Sequence, residues 1–444
     1  MFKTVRNALK IKDIRNKLIY TFIALIIVRL GSQLPIPGVD RDYFANWFNQ
    51  QTALNFFDAM TGGSFTKMSI FALNITPYIT SSIIMQLLTI AIPKLEEMQK
   101  DGEDGRKKIA EFTRYGTVIL SVIESVAMAI GFGNQGLLNG GITVTNVAVI
   151  VVALTAGSTF LMWIGEQITE NGVGNGISIV LLINIVSRIP SDLSSLYQQF
   201  VASANVVNKV IASVVILGVI LGMVVFIIML QNGERRIPVQ YAKKVQGRKM
   251  VGGQSSHIPL KVNTAGVIPV IFAGSLMSFP IVIAQFMGVA PASGAGSTIV
   301  QKLLKVVNQN SWCNFRSLGE FKYTIGLLVY IVLVIFFAYF YTSITFNPIE
   351  VSNNMKKQGG FIPGIRPGKP TTDYLTKVIN NVIFIGAVGL TIIAVIPIFF
   401  SGAFGASVSF SGTSLIIVVG VVLETIKQIE SQMLVRHYKG FLND

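Results

Sequence analysis

The sequence predicts an all-α polytopic membrane protein with ten transmembrane helices in two inverted, pseudo-symmetric five-helix halves. Three observations carry this. Of 444 residues, 51% are hydrophobic and only 13% charged, with a mean hydropathy of +0.61; soluble domains carry about 25% charged residues. Apolar runs near the length of a membrane span recur ten times along the chain. The positive charge collects in alternate connectors between those runs, as expected when basic loops stay on the cytoplasmic side.

The runs cover residues 18–37, 70–92, 116–134, 146–164, 174–189, 210–230, 266–287, 324–346, 380–400 and 408–427. Each approaches the ~20 residues a helix needs to cross the hydrocarbon core. The fifth is short and opens on Gly172-Val173-Gly174-Asn175-Gly176, which reads as a tight turn out of the fourth. The N-terminal segment, the connectors after spans 2, 6 and 8, and the C-terminus hold six, six, seven, five and three of the 36 lysines and arginines. With ten spans all five lie on one side, so both termini are expected in the cytoplasm. No small-residue cleavage site follows the first apolar run, so no cleavable signal peptide is expected.

The implied organisation is a basic N-terminal segment 1–17, a first half 18–190, an external connector 191–209, a second half 210–430 and a tail 431–444. Five spans per half is odd, so the second half is inserted upside down. Inverted repeats build a central pathway at their interface. The corresponding spans 2 and 7 each carry an early proline, Pro77 and Pro269. Proline removes a helix donor and bends the helix. Two readings stand: packing kinks, or a mobile pair lining the pathway.

Several chemistries are argued against. One cysteine, Cys313, allows no internal disulfide and no cysteine metal site. His257 and His437 lie outside the apolar runs, which disfavours a bis-histidine haem. No P-loop, HExxH or Cys/His nucleophile pair is present, so no hydrolytic constellation and no cofactor are expected. Arg29 and Glu124 fall inside spans 1 and 3. Each costs ~2.5–3.5 kcal/mol to insert, but two such groups are too few for a proton relay.

Three connecting segments stand out. Residues 55–67, NFFDAMTGGSFTK, have a short apolar face broken by Gly62-Gly63 and are too short to span. They suit either an interfacial amphipathic helix or a half-helix folded back into protein as a stopper. Residues 231–263 carry seven basic residues against one acid, a patch suited to RNA, anionic lipid or an acidic protein face. In residues 347–370, NPIEVSNNMKKQGGFIPGIRPGKP, glycines and prolines crowd around Arg366. That composition predicts a shaped docking loop rather than a floppy linker.

Together the segments 162–178 (MWIGEQITENGVGNGIS), 235–242 (RRIPVQYA), 256–271 (SHIPLKVNTAGVIPVI), 346–370, 412–420 (GTSLIIVVG) and 428–442 (QIESQMLVRHYKGFL) resemble the SecY family, the central subunit of the protein-conducting channel. The resemblance implies an hourglass pore between the two halves, through which unfolded preproteins cross and from which apolar segments leave sideways into lipid. It implies a constriction ring of Ile75, Ile79, Ile177, Leu181, Ile271 and Ile417. It implies a plug at 55–67, in particular Asn55, Phe56, Phe57, Asp58, Ala59, Met60, Thr61, Gly62 and Gly63. The lateral gate would be span 2 with span 7, flanked by 3 and 8, with Pro77, Gln86, Glu124 and Pro269. The cytoplasmic loops 231–263 and 347–377 would meet the ribosome, through its RNA and protein, and the SecA ATPase. Arg235, Arg236, Lys243, Lys244, Arg248, Lys249, Lys356, Lys357, Arg366 and Lys369 are the contact candidates. SecE-like and SecG-like membrane subunits, signal peptides, nascent chains and the lipid bilayer complete the expected partners, and the bacterial plasma membrane is the expected location. Position 74 is Asn where the family pattern suggests Gly, which would wet the ring slightly. A small-solute transporter or a poreless membrane scaffold are the rival readings; solute uptake without an ATPase, and absence of conductance, would mark them.

Overall fold

The computed structural model describes residues 8–40, 61–134, 136–138, 141–202, 206–241, 244–246, 249–251, 255–286, 298–313, 322–404 and 412–440, with Arg6, Phe44 and Asp58 besides. In chain order the main elements are α1 Lys12–Gly31, α2 Thr76–Ala91, α3 Pro93–Lys100, α4 Glu103–Asn134, α5 Val144–Asn171, α6 Gly176–Leu196, a π-helical turn Tyr197–Ala202, α7 Val206–Asn232, β1 Glu234–Tyr241, β2 Lys244–Gln246, β3 Lys249–Val251, β4 Ser255–Lys261, α8 Ile268–Phe286, α9 Ile299–Val307, α10 Ile325–Thr345, α11 Pro348–Lys357, β5 Gly360–Phe361, α12 Lys369–Phe404 and α13 Gly412–Gly440.

Among the described residues six helices are long and apolar enough to cross a membrane, or seven if the bent pair α2 and α3 is one span. The six correspond to α4, α5, α6, α7, α10 and α12. Helix α7 shows why lipid is the solvent: Val210, Ile211, Val214, Val215, Leu217, Leu221 and Val225 are all exposed, a face that water would not tolerate. Three of the four remaining expected spans fall short for local reasons. Helix α1 carries Arg15, Lys17 and Arg29, α2 is 16 residues long, and the apolar stretch of α8 is Ile268–Met277.

Two expectations are corrected. First, Pro77 and Pro269 do not kink spans; each is the second residue of its helix, where a missing N–H costs nothing. Residues 70–75 are therefore not helical, and α2 begins at Thr76. A left-handed residue stands two positions before each helix, Asn74 at φ 53° and Gly266 at φ 65°. Second, the fold is not purely α-helical: among the described residues five short strands lie in the connectors flanking α7, α8 and α11. The other end of α2 is set by Pro93, which holds Ile92 extended at φ −112°, ψ 109°, and the chain bends by 107° into α3.

Contacts divide the chain into two compact units. The first comprises Met1–Leu196, Pro280–Lys305 and Ser407–Asp444; the second comprises Tyr197–Phe279 and Val306–Ala406.

In the first unit α4 packs on α2 and α5, α5 on α6, α6 on α13, and α1 on α5 and α6. Small polar residues make the α2–α4 seam close. Ser81 Oγ donates to the Thr113 carbonyl at 2.8 Å, and a Cβ on Gly116 would lie 2.4 Å from that same Oγ. The α5–α6 connection is the tight turn expected. Gly174 is left-handed at φ 83°, and a Cβ on Gly176 would lie 1.9 Å from the Gly165 carbonyl. The buried Val173 N–H, which has no helical partner, donates to Thr21 Oγ1 on α1 at 3.2 Å, as a buried backbone group must find an acceptor.

In the second unit the strands form a three-stranded sheet of order β4-β1-β5, with β2 and β3 as a separate two-stranded ribbon. The β1 segment alternates, so Ile237 and Val239 point inward. They join Leu260, Met355, Ile362, Leu375 and Ile379 in one cluster built from the sheet, α11 and α12.

Candidate functional site

The site is built outward from helix α6. Asp58 and Gly62 stand four residues apart in sequence, Arg188 and Asn184 stand one turn apart on α6, and the two pairs meet in opposite order. Gly62 sits against the α6 backbone: at φ 67°, a Cβ there would lie 2.6 Å from the Asn184 carbonyl oxygen. Asp58 Oδ2 forms an ion pair with Arg188 NH1. The other carboxylate oxygen, Oδ1, accepts from the Thr66 backbone N–H at 2.8 Å. The Asp58 carbonyl accepts from Gly63 N–H at 3.1 Å and from Thr61 Oγ1 at 3.2 Å. Asp58, Thr61 and Ser64 are all buried. The described part of 55–67 is thus folded into protein, and the interfacial-helix reading does not hold for it.

Asn184 carries a second contact. Its Nδ2 donates to Asn74 Oδ1 at 3.0 Å, and the Asn74 carbonyl accepts from Ser158 Oγ at 3.1 Å. Asn74 is 1% exposed, so its carboxamide is turned into the protein. The expectation that it wets the ring is corrected: the left-handed φ explains why glycine suits this position, and Asn is among the few other residues that tolerate it.

Immediately after Asn74 come the first ring candidates. Ile75 is fully buried at the N-cap of α2. Ile79, whose N–H donates to the Ile75 carbonyl at 3.0 Å, is half-buried. Ile177 and Leu181 follow one turn apart on α6; Ile177 packs where a Gly165 Cβ would be, at 2.4 Å, and Leu181 is buried. Ile417 is buried on α13, which packs on α6. These five lie in the first unit. Ile271, half-buried in the first turn of α8, lies in the second.

Of the plug candidates, Asp58, Thr61, Gly62 and Gly63 are placed above, whereas Asn55, Phe56, Phe57, Ala59 and Met60 lie outside the described residues. Of the gate candidates, Pro77 and Pro269 are buried, Glu124 is half-buried on α4, and Gln86 is exposed on α2, its carbonyl accepting from Thr89 Oγ1 at 2.7 Å.

The basic connectors converge within the second unit. Strand β5 pairs with β1, matching Gln240 to Phe361 and Tyr241 to Gly360, so the two connectors form one sheet. Residues 347–370 are more ordered than a shaped loop: they contain the ten-residue helix α11. Asn347 caps it, Oδ1 accepting from Ile349 and Glu350 N–H at 3.1 and 3.4 Å. Pro348 opens it, and Lys356 and Lys357 fill its last turn, where cations complement the helix dipole. After β5 the chain turns at Gly364 and Gly368. The Arg366 carbonyl accepts from Thr371 Oγ1 at 2.8 Å, leaving its side chain exposed. Arg235, Lys356, Lys357 and Lys369 are exposed as well. Arg236 is exposed and paired with Glu234, Nε to Oε1 at 2.6 Å. Lys244 and Lys249 lie on β2 and β3; Lys243 and Arg248 lie outside the described residues.

Sequence reasoning missed Arg188, Asp192 and Asn184. The signal was the run NIVSRIPSD at the end of span 5, with two opposite charges four residues apart.

Helices with lipid-exposed apolar faces, joined by polar contacts inside and basic connectors outside, define a multi-pass membrane protein. The family model SecY matches residues 69–426. The protein translocase subunit SecY of Halalkalibacterium halodurans is 44% identical over 455 aligned positions, covering 100% of both chains. Among solved structures, one described as a protein conducting channel matches with a TM-score of 0.60 at 18% identity, covering 95% of this chain and 93% of that one. Sec61 in the canine ribosome-channel complex from the endoplasmic reticulum matches with a TM-score of 0.55 at 17% identity, covering 95% and 93%. The chain belongs to the SecY family.

Proposed function

We propose that the chain is the central subunit of a protein translocase, a channel that passes unfolded preproteins across the membrane and releases transmembrane segments sideways into lipid. The observation that carries this is relatedness to a protein translocase subunit along the full length, joined to the buried Asp58, Thr61, Ser64 and Phe65, with Asp58 and Gly62 seated on α6. In this reading ten helices form two inverted halves, 18–190 and 210–430, around an hourglass pore. The ring of Ile75, Ile79, Ile177, Leu181, Ile271 and Ile417 seals it by dewetting, because a narrow apolar constriction excludes ions without gripping any particular side chain. Segment 55–67 is the plug. Helices α2 and α8 form the lateral gate, through which apolar segments partition because lipid solvates them better than an aqueous pore.

The chain carries no catalysis of its own, and the energy comes from the soluble partner. The exposed cations around β1, β5 and α11, Arg366 foremost, dock the ribosome and the SecA ATPase on the cytoplasmic face of the bacterial plasma membrane. SecE-like and SecG-like subunits flank the channel. Preprotein uptake into proteoliposomes holding the reconstituted complex, with ATPase and ATP, tests the function. Uptake is expected to depend on this chain, and equal uptake by vesicles lacking it would refute the reading.

A further inference from the structure

We propose that Arg188 is the positioning residue that holds the plug closed, and that Asp192 is the partner it retains once the plug leaves. This rests on the reading of 55–67 as a plug. Three observations lead to it. The only charge among the described residues of 58–66 is Asp58, and its carboxylate is 2% exposed while facing a guanidinium that is 20% exposed. That carboxylate also fastens its own segment, through the Thr66 N–H, so one group ties the plug's turn to the helix behind it. Arg188 has a second acid in reach on its own helix: its Nε lies 3.7 Å from Asp192 Oδ1, an i,i+4 spacing.

The choice of a charge pair here has a physical logic. An apolar seat would hold the plug about as strongly whether the channel was dry or wet. An ion pair behaves differently, because the attraction between unit charges falls roughly twentyfold between a dry interior and water. The pair is strong while the site is sealed and weak once a passing chain admits water. A departing Asp58 is solvated on the outside of the plug. Arg188, which stays on α6, would lose its buried partner in a partly buried site, a costly outcome; Asp192, already paired with it in the closed state, remains beside it and reduces that cost. Because Asp192 stays on the same helix as Arg188 throughout, the guanidinium keeps one carboxylate as Asp58 departs. Asn184 marks the other end of the seat, since a side chain at Gly62 would strike its carbonyl.

The test is the resting conductance of the purified complex in planar bilayers, with and without added preprotein. Asp58→Asn and Arg188→Gln should each raise resting openings at least about tenfold, the scale of losing one buried charged partner. The exchange Asp58→Arg with Arg188→Asp should return them toward the wild-type level. Asp192→Asn should leave the resting seal intact and make preprotein-induced openings several-fold rarer, a split that a purely structural role would not produce. Wild-type sealing by Asp58→Asn and Arg188→Gln would overturn the latch. So would a double exchange that leaks as much as the single changes, and an Asp192→Asn channel that opens normally would overturn the retained partner. Deletion of residues 55–66 separates this from the underlying reading. If the deletion leaks and the single changes do not, only the latch fails; if the deletion also seals, the plug itself fails.

Discussion

The Asn184 amide donates to the Asn74 carboxamide at 3.0 Å, joining residues 110 positions apart in the chain, at the point where a left-handed backbone hands over to helix α2. Replacing Asn74 probes both halves of that arrangement. Asn74→Val orphans the Asn184 amide and strains the backbone, and should cost about 2–4 kcal/mol. Asn74→Gly loses the hydrogen bond but adopts the φ freely, and should cost about half as much or less. Thermal unfolding of the purified protein in detergent ranks the two; a Val variant as stable as the Gly variant would remove the backbone account.

The α5–α6 turn offers a sharper contrast. Gly176→Ala drives a methyl into the Gly165 carbonyl, 1.9 Å away, and should destabilise by about 1–3 kcal/mol. Gly218→Ala on α7 meets nothing within 4 Å and should be neutral, or stabilising by up to about 1 kcal/mol. The same unfolding assay decides.

Arg366→Glu should leave stability within about 0.5 kcal/mol of wild type, since the side chain is exposed and only the carbonyl is bonded. ATPase-driven preprotein transport should nonetheless be lost. Normal transport at wild-type channel levels would refute the docking role.

Ile79→Ser and Ile271→Ser should raise resting ion conductance in planar bilayers, because a hydroxyl lets water bridge an apolar constriction. Ile75→Ser is a poorer probe. That side chain is fully buried, so its replacement should also cost about 2–4 kcal/mol of stability. Unchanged conductance for Ile79→Ser and Ile271→Ser would count against the ring.

How much of the fold is legible in the sequence depends on how local the physics is. Spans 3, 4, 5, 6, 8 and 9 are continuous apolar runs, and each became a helix. The turn at Gly172–Gly176 was legible because its glycines answer to local geometry. The start of α2 was less so: Ile70–Ile75 is as apolar as the helix after it, and the left-handed Asn74 that precedes Pro77 is held by contacts to Asn184 and Ser158, which no local pattern reveals. Helix α11 was hidden by the glycines beyond its C-terminus, although Asn347-Pro348 is a cap and first-turn pair. The Asp58–Arg188 ion pair joins residues far apart in sequence, and no spacing rule reaches that far.

Because Gln240 and Tyr241 pair with Phe361 and Gly360, the two basic connectors cannot grow independently. Residues added beyond Tyr241, toward the β2–β3 ribbon, extend a hairpin and leave that pairing intact. A single residue added between Lys357 and Gly360 would shift the register and turn Phe361 to the opposite side of the sheet. Gly360 is already wedged between Tyr241 and Met355, where a Cβ would lie 2.8 and 3.0 Å from their side chains. An epitope tag or a natural insertion therefore belongs in the first connector. The second works as a ruler, fixing how far Arg366 stands from the helix that precedes it.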